Sequence, residues 1–145
     1  MKNISLLRLS IIVFMTLILL GNLANLYLSF NELVEIDFQT IALSSGLTFL
    51  FIVGLFYVQK ALLLFSKNQF FTKKSISLLK TSAYYLILFS LSSIIFNTYN
   101  IVSAEALIAN YVLYALIFLI GFGLICFANV LKEGKYLKQE NELTI

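Results

Sequence analysis

Four long apolar segments constrain the fold more than any other feature of this sequence. They cover approximately residues 9–29, 41–65, 73–97 and 104–133, and short polar stretches separate them. Each approaches or exceeds the roughly 20 residues that an α-helix needs to cross a hydrocarbon core of about 30 Å. Charged residues make up only 12% of the chain, whereas a soluble domain is about 25% charged. We therefore expect an integral membrane protein built from helices.

The polar stretches are too short to form a soluble domain of their own. Neither the central loop, residues 66–72, nor the C-terminal tail, residues 134–145, can bury a hydrophobic core. We therefore predict a single transmembrane domain over residues 1–145. Because short turns join consecutive helices, the expected fold class is all-α, an antiparallel four-helix bundle that runs up, down, up and down.

Basic and acidic residues fall at opposite ends of this predicted bundle. Lys and Arg residues lie before the first apolar segment, at the junction of the second and third, and after the fourth. The two remaining loops carry no basic residue and four acids, Glu32, Glu35, Asp37 and Glu105. Short loops rich in Lys and Arg stay on the cytoplasmic side of a membrane. We therefore expect both termini and loop 66–72 to be cytoplasmic, and the acidic loops to face outward.

Five basic residues are candidates for contact with lipid headgroups, namely Arg8, Lys67, Lys73, Lys74 and Lys80. Lys73 and Lys74 fall in the first turn of the third helix, where a positive charge opposes the helix dipole. Attraction to anionic lipid, about 1 kcal/mol for each basic residue near the surface, is enough to offset that cost. The lipid bilayer is thus one predicted partner. Because topology alone accounts for these lysines, we expect no direct binding of nucleic acid.

Individual residues predict where several helices begin and end. Asn68 suits a left-handed stop after the second helix, because asparagine tolerates that backbone conformation. Thr72 and Ser103 can cap the third and fourth helices, since a short side-chain oxygen accepts a bond from an unpaired first-turn N–H. Gly134 is a typical helix terminator, so we expect the tail 134–145 to leave the helix there.

Polar side chains inside the apolar segments allow two interpretations. The third helix carries Ser82, Ser90, Ser92 and Ser93, which favour a close-packed face over a polar conduit. Asn22, Asn25, Ser44, Ser45 and Asn110 lie within the other segments. We interpret the asparagines as interhelical hydrogen-bonding groups, and a transport pathway is the alternative.

The residues that most chemistries require are scarce in this sequence. The chain has no histidine and one cysteine, Cys126, so it offers no histidine general base and no Cys/His metal cluster. We expect Cys126 to pack in the core. The three acids of the first outer loop could hold Ca²⁺ weakly, but their spacing matches no ligand loop. The sequence therefore predicts a protein that is not an enzyme and that has no cofactor or metal.

Two short segments carry a resemblance to a known family. After the second helix come Phe65, Phe70, Phe71 and Thr72, and the chain ends in ENELTI. The first segment is similar to an F-x-x-x-x-F-T-type pattern, and the second to an acidic E-N-D-L-T-I-like tail. Both are typical of the bacterial membrane family called domain of unknown function 2975, which the chain resembles over nearly its whole length.

What the resemblance implies is a multi-pass protein of the bacterial cytoplasmic membrane without established enzymatic activity. Members of that family are often encoded beside a small helix-turn-helix regulator. The implied role is therefore that of a regulatory membrane protein that holds or modulates a cytoplasmic transcription factor, an inference by analogy.

A cytoplasmic partner would bind the central loop and the tail. The tail interleaves apolar and charged residues, which suits a docking peptide, although it could instead lie on the lipid surface. The candidate partner-binding residues are Phe70, Phe71, Leu137, Glu140, Asn141, Glu142 and Leu143.

Other roles stay open at this point. The alternative function is a small transporter, a channel component or an immunity protein against membrane-active peptides. A homo-oligomer could form through the serine-rich third helix or through Gly121 and Gly123, although their spacing is not a GxxxG motif.

Overall fold

The computed structural model describes residues 2–30, 38–100 and 103–143, except for the side chains of Lys2, Phe38 and residues 141–143. All regular structure in these ranges is α-helical. The helices are α1 (Lys2–Phe30), α2 (Phe38–Ser66), α3 (Lys73–Asn100) and α4 (Ala104–Leu143). Each of the four is long and apolar enough to cross a membrane. The acids between α1 and α2, Glu32, Glu35 and Asp37, lie outside the described residues.

Two of these helices extend well beyond the apolar segments that predicted them. Helix α1 begins at Lys2 instead of residue 9, and α4 continues past Glu133 to Leu143. The expected helix end at Gly134 is therefore wrong. The residues after Gly134 include lysine, leucine, glutamine and glutamate, which all favour a helix, so one glycine does not stop it.

The predicted helix ends on either side of the central loop are confirmed. Asn68 has a φ of 60°, the left-handed conformation that ends α2. The Asn68 N–H donates to the Phe65 carbonyl, and the Gln69 N–H donates to the Leu64 carbonyl, each at a distance of 3.0 Å. These two bonds form the Schellman motif. Thr72 then caps α3, because its hydroxyl oxygen accepts from the Ser75 N–H at 3.1 Å.

The second predicted cap, at the start of α4, is also confirmed. The Ala106 N–H donates to the Ser103 hydroxyl oxygen at 3.4 Å, so Ser103 begins α4 as expected. Glu105 lies in the first turn of that helix, where its negative charge complements the helix dipole.

Consecutive helices pack side by side in antiparallel pairs. Helix α2 packs against α1 and α3, and α3 packs against α2 and α4. In the described ranges, the backbones of α1 and α4 do not approach each other. The four helices therefore form a bundle in which α3 is central and α1 is peripheral. None of the apolar stretch of α1 is fully buried within the chain.

The buried apolar core lies at one end of the bundle, beside the central loop. Three helices contribute two residues each: Ala61 and Phe65 from α2, Ile76 and Leu79 from α3, and Ala128 and Leu131 from α4. Ile4 of α1 packs against this cluster from outside. The start of α1, the central loop and the second half of α4 are thus brought to the same end.

Candidate functional site: the basic end of the bundle

The basic end of the bundle consists of residues 67–72 of the central loop, the first two turns of α3, and α4 from Lys132 onward; Ser66, which was predicted to begin the loop, is the last residue of α2. Within the loop, the Phe70 ring stacks on the ring of Phe65, with centroids 5.0 Å apart and planes at 21°. Phe65 in turn makes an edge contact with Phe127 of α4, at 6.3 Å. These aromatic contacts join the loop to the core through α2 and α4.

Ser75 fixes the backbone of the same loop from the first turn of α3. Its side chain is fully buried, and its hydroxyl lies 2.6 Å from the Phe70 carbonyl oxygen and 2.9 Å from that of Thr72. The hydroxyl is also within 3.1 Å of the Thr72 hydroxyl. Buried hydrogen bonds of this kind hold a short loop in one conformation.

Gly134 makes room for an aromatic ring of the loop, which is the reason for a glycine inside α4. A Cβ atom at this position would lie 2.6 Å from Cε1 of Phe71, closer than real atoms approach. The absence of a side chain on α4 therefore lets the Phe71 ring rest on the helix backbone. This contact links the loop to α4 at the level where a membrane-spanning stretch would end.

Helix α4 continues as an extension beyond that contact. It contains 40 residues, or about 60 Å at 1.5 Å per residue, whereas about 20 residues suffice to cross the hydrocarbon. The part from Lys135 onward continues as a helix past Ala128 and Leu131, the core residues of α4. We call residues 135–143 the α4 extension.

The predicted partner-binding residues differ in their accessibility. Phe70 is half-buried on the core and acts mainly in packing. Phe71 is 43% exposed and Leu137 is 62% exposed, so both present apolar surface. Glu140 is exposed on the α4 extension. Asn141, Glu142 and Leu143 continue the helix, but their side chains lie outside the described residues.

The predicted headgroup contacts also divide into two groups. Lys67, Lys73 and Lys74 are exposed around the loop, whereas Arg8 and Lys80 are half-buried. Lys73 and Lys80 line a groove of about 430 Å³ between α3 and α4, together with two lysines that the sequence did not single out, Lys132 and Lys135. Their position opposite α3 depends on α4 remaining helical past Gly134.

The other end of the bundle, which we call the acidic end, joins α3 to α4 through polar side chains. The Asn97 side-chain amide donates to the Tyr114 hydroxyl at 3.1 Å, and the Asn110 side-chain amide donates to Oδ1 of Asn97 at 3.5 Å. Nearby, the hydroxyls of Thr98 and Tyr111 are 2.8 Å apart. These bonds cross between helices, and the one from Asn110 agrees with the interhelical interpretation, whereas Asn25 is exposed on α1.

A second asparagine contact joins α1 to α2. The Ser45 hydroxyl donates to the Asn22 side-chain oxygen at 3.2 Å. The Phe14 ring makes an edge contact with Phe51 nearer the basic end, with centroids 6.3 Å apart. These contacts hold the peripheral helix in register with α2.

The serines of α3 form a packed face. Ser75, Ser82 and Ser90 are each fully buried, and Ser93 is nearly so. The Ser90 hydroxyl donates to the Tyr114 carbonyl of α4 at 2.7 Å. Small hydroxyl side chains therefore allow α3 to lie close to its neighbours, which favours the packing interpretation.

Two residues of α4 differ in their surroundings, since Cys126 is exposed and Gly121 packs against α3. Cys126 is exposed on the surface of α4, so its expected place in the core is wrong; every face of this helix is apolar, and composition does not distinguish the packed face. Gly121 lies inside the chain against α3, because a Cβ atom there would be 2.8 Å from Cγ1 of Ile87. Gly121 therefore serves contact between helices of one chain.

No group of three or more potential metal-ligating side chains occurs among residues 3–30, 39–100 and 103–140. The features that stand out are instead four membrane-capable helices and one end of the bundle that is rich in lysine. They define the class of a helical multi-pass membrane protein with short loops.

A match between the sequence and a family model identifies the family of this protein. Residues 18–145 match the family described as protein of unknown function DUF2975, and the chain belongs to this family. The resemblance seen in its two short segments is thereby confirmed. No curated protein and no solved structure matches the chain.

Proposed function

We propose that this protein is a non-enzymatic protein of the bacterial plasma membrane that holds a cytoplasmic transcriptional regulator at its basic end. The observation that carries the proposal is the α4 extension, a helix that continues past the apolar core of the bundle and leaves Leu137 exposed. An exposed helical segment with apolar and charged residues is suited to lie in a groove of a soluble partner.

The orientation of the protein is part of the proposal. Nine of the ten basic residues lie at or near the basic end, and Lys60 lies less than two turns before the end of α2. Short loops that carry Lys and Arg remain on the cytoplasmic side. The α4 extension and both termini would therefore face the cytoplasm, where a regulator could reach them.

Several contacts favour a fixed binding surface over a flexible tail. The Schellman motif at Asn68 and the buried bonds of Ser75 hold the central loop, and Phe71 rests on Gly134 of α4. A surface that is ordered before binding loses less conformational entropy when a partner associates. The partner would thus meet Phe71 and Leu137 in a defined relative position.

The class of partner comes from the family resemblance, which implies a small helix-turn-helix regulator. Under this proposal the membrane protein binds the regulator itself and makes no contact with DNA. Its lysines would face the bilayer surface, and the partner would contact the side of the α4 extension that carries Leu137.

Site-specific photo-crosslinking in native membranes tests this role. A photoreactive residue replaces Leu137 on the α4 extension, and a matched control replaces Ile108 at the acidic end; the two side chains are 62% and 63% exposed. We expect the probe at position 137 to capture a helix-turn-helix protein that the probe at position 108 does not capture. Capture of the same neighbours from both positions would contradict the proposal.

A truncated chain that ends at Gly134 provides a second control. It lacks the α4 extension but keeps all four membrane-capable helices. We expect it to insert normally and to lose the regulator. Unchanged recovery of the regulator with the truncated chain would show that the extension does not dock it.

A further inference from the structure

Four lysines from two helices converge on one groove at the basic end. Lys73 and Lys80 of α3 and Lys132 and Lys135 of α4 line a space of about 430 Å³. Lys73 and Lys80 are seven residues apart, two helical turns along the same face of α3. Lys132 and Lys135 are three residues apart on α4, a spacing that places neighbours on one face.

These four ammonium groups are not paired with any acidic side chain that the structure describes. Among residues 3–30, 39–100 and 103–140, no ion pair joins any of the four to an aspartate or glutamate. The Lys132 ammonium is instead 5.9 Å from the centre of the Tyr136 ring, within the range of a cation–π contact. Clustered positive charges repel each other, so the groove favours an anionic occupant.

The first turn of α3 adds to this positive field. Lys73 follows the Thr72 cap directly and therefore lies at the positive end of the helix dipole. A lysine in that position is unfavourable unless an anion is near. The hydroxyls of Ser77 and Thr81 also line the groove and can donate hydrogen bonds to an anion.

The groove is also partly apolar, which selects a lipid over a free anion. Ile76 and Tyr84 line it together with the lysines, and the exposed Leu88 follows Tyr84 one turn further into the apolar part of α3. Tyrosines typically mark the level of the headgroups in a membrane. A phospholipid could therefore place its phosphate among the lysines and one acyl chain along Tyr84.

We infer that the groove between α3 and α4 is a specific site for one anionic phospholipid, whose phosphate is bound by Lys73, Lys80, Lys132 and Lys135. Basic grooves between membrane helices bind such headgroups in general. The site excludes Lys67 and Lys74, which do not line the groove. It does not depend on a soluble partner, although a lipid bound to both helices would also tie the start of the α4 extension to α3.

The test measures lipid binding by the purified full-length protein in mixed micelles, with phosphatidylglycerol as the anionic lipid and phosphatidylcholine as the zwitterionic reference. Native mass spectrometry counts bound lipid, and thermal unfolding reports stabilisation. We expect one phosphatidylglycerol to remain bound and to raise Tm, and phosphatidylcholine to do neither. Equal binding of the two lipids would overturn the inference.

Matched double variants separate a specific site from general surface charge. Lys80→Gln/Lys132→Gln removes two positive charges from the groove, and Lys67→Gln/Lys74→Gln removes two from outside it. We expect the first variant to lose roughly tenfold or more in affinity for phosphatidylglycerol, and the second to lose less than about threefold. An equal loss in both would show that only diffuse attraction acts.

A charge-conserving variant and a water-soluble phosphate provide two further measurements of what the groove binds. The variant Lys80→Arg/Lys132→Arg should retain phosphatidylglycerol binding, because both positive charges are kept. If Lys80→Gln/Lys132→Gln fails to fold, the single variant Lys73→Gln, inside the groove, is compared with Lys74→Gln, outside it. Glycerol phosphate added in excess distinguishes a lipid from a free phosphate. Stabilisation by glycerol phosphate equal to that by the lipid would contradict a lipid site.

Discussion

At the basic end three helices meet in an apolar core around Phe65 and Leu79, whereas at the acidic end α3 and α4 are joined by polar contacts around Asn97 and Tyr114. An apolar core depends on shape, so added volume disturbs it. A polar contact depends on a particular donor and acceptor, so removal of one atom disturbs it. The comparison indicates that the two ends respond to different changes, the basic end to added volume and the acidic end to the loss of a single polar atom.

The middle of the α3–α4 interface gives the largest expected effect, because the backbone of α3 lies directly against Gly121 of α4. In Gly121→Ala the new Cβ would lie 2.8 Å from Cγ1 of Ile87 and 3.2 Å from the Ala83 carbonyl oxygen. Backbone cannot move aside as a flexible side chain does. We expect a loss of about 1–3 kcal/mol in the free energy of unfolding, measured in mixed micelles.

Gly123→Ala is the matched control for that change. An added Cβ there meets no described atom within 4 Å, and alanine has the higher helix propensity. The control should therefore leave stability unchanged or raise it. A loss equal to that of Gly121→Ala would contradict the close approach of α3 and α4.

Two buried serines of α3 test how much a hydrogen bond between helices contributes to stability. Ser90→Ala removes the 2.7 Å bond to the Tyr114 carbonyl, and bonds between membrane helices contribute about 0.6–1.7 kcal/mol. Ser82 is equally buried, but its hydroxyl has no partner among the described residues. We expect Ser90→Ala to lower the free energy of unfolding and Ser82→Ala to leave it unchanged or raise it.

At the basic end, Gly134→Ala should change the position of the Phe71 ring more than it lowers the free energy of unfolding. The new Cβ would displace the Phe71 ring, which is exposed enough to turn away at a cost of about 0.5–1.5 kcal/mol. We expect reduced crosslinking of the regulator from position 137, with normal membrane insertion. In the Phe71→Ala background the clash is absent, so Gly134→Ala should cause no further loss of stability there. A further loss would place the clash elsewhere.

The smallest effect is expected at the peripheral helix. Ser45→Ala removes the 3.2 Å bond to Asn22, a single contact between α1 and α2. We expect a loss below about 0.6 kcal/mol in the same unfolding measurement. A loss larger than that of Ser90→Ala would contradict the peripheral role of α1.

Local signals in the sequence predicted much of the fold. Segment length and composition are sufficient to predict the four helices. The roles of Asn68 and Thr72 were predictable because each acts within its own turn of the chain. Gly134 was misjudged because its role depends on Phe71, a residue distant in sequence.

The candidate site was predictable only in part. Loop 66–72 and Leu137 were found from the pattern of charged and apolar residues, and the structure leaves Leu137 exposed. The groove lysines Lys132 and Lys135 were missed, because their position opposite α3 follows from the continuation of α4. Where helices are apolar on every side, no periodic pattern distinguishes the packed face from the lipid face.

The central claim is that the basic end faces the cytoplasm, and cysteine labelling in intact cells tests it most directly. In a Cys126→Ser background, which removes the single native cysteine, a membrane-impermeant maleimide is applied to Gln69→Cys and to Glu105→Cys. Both positions are exposed, one at each end of the bundle. We predict labelling at position 105 in intact cells and at position 69 only after the membrane is opened; labelling of position 69 in intact cells would contradict the claim.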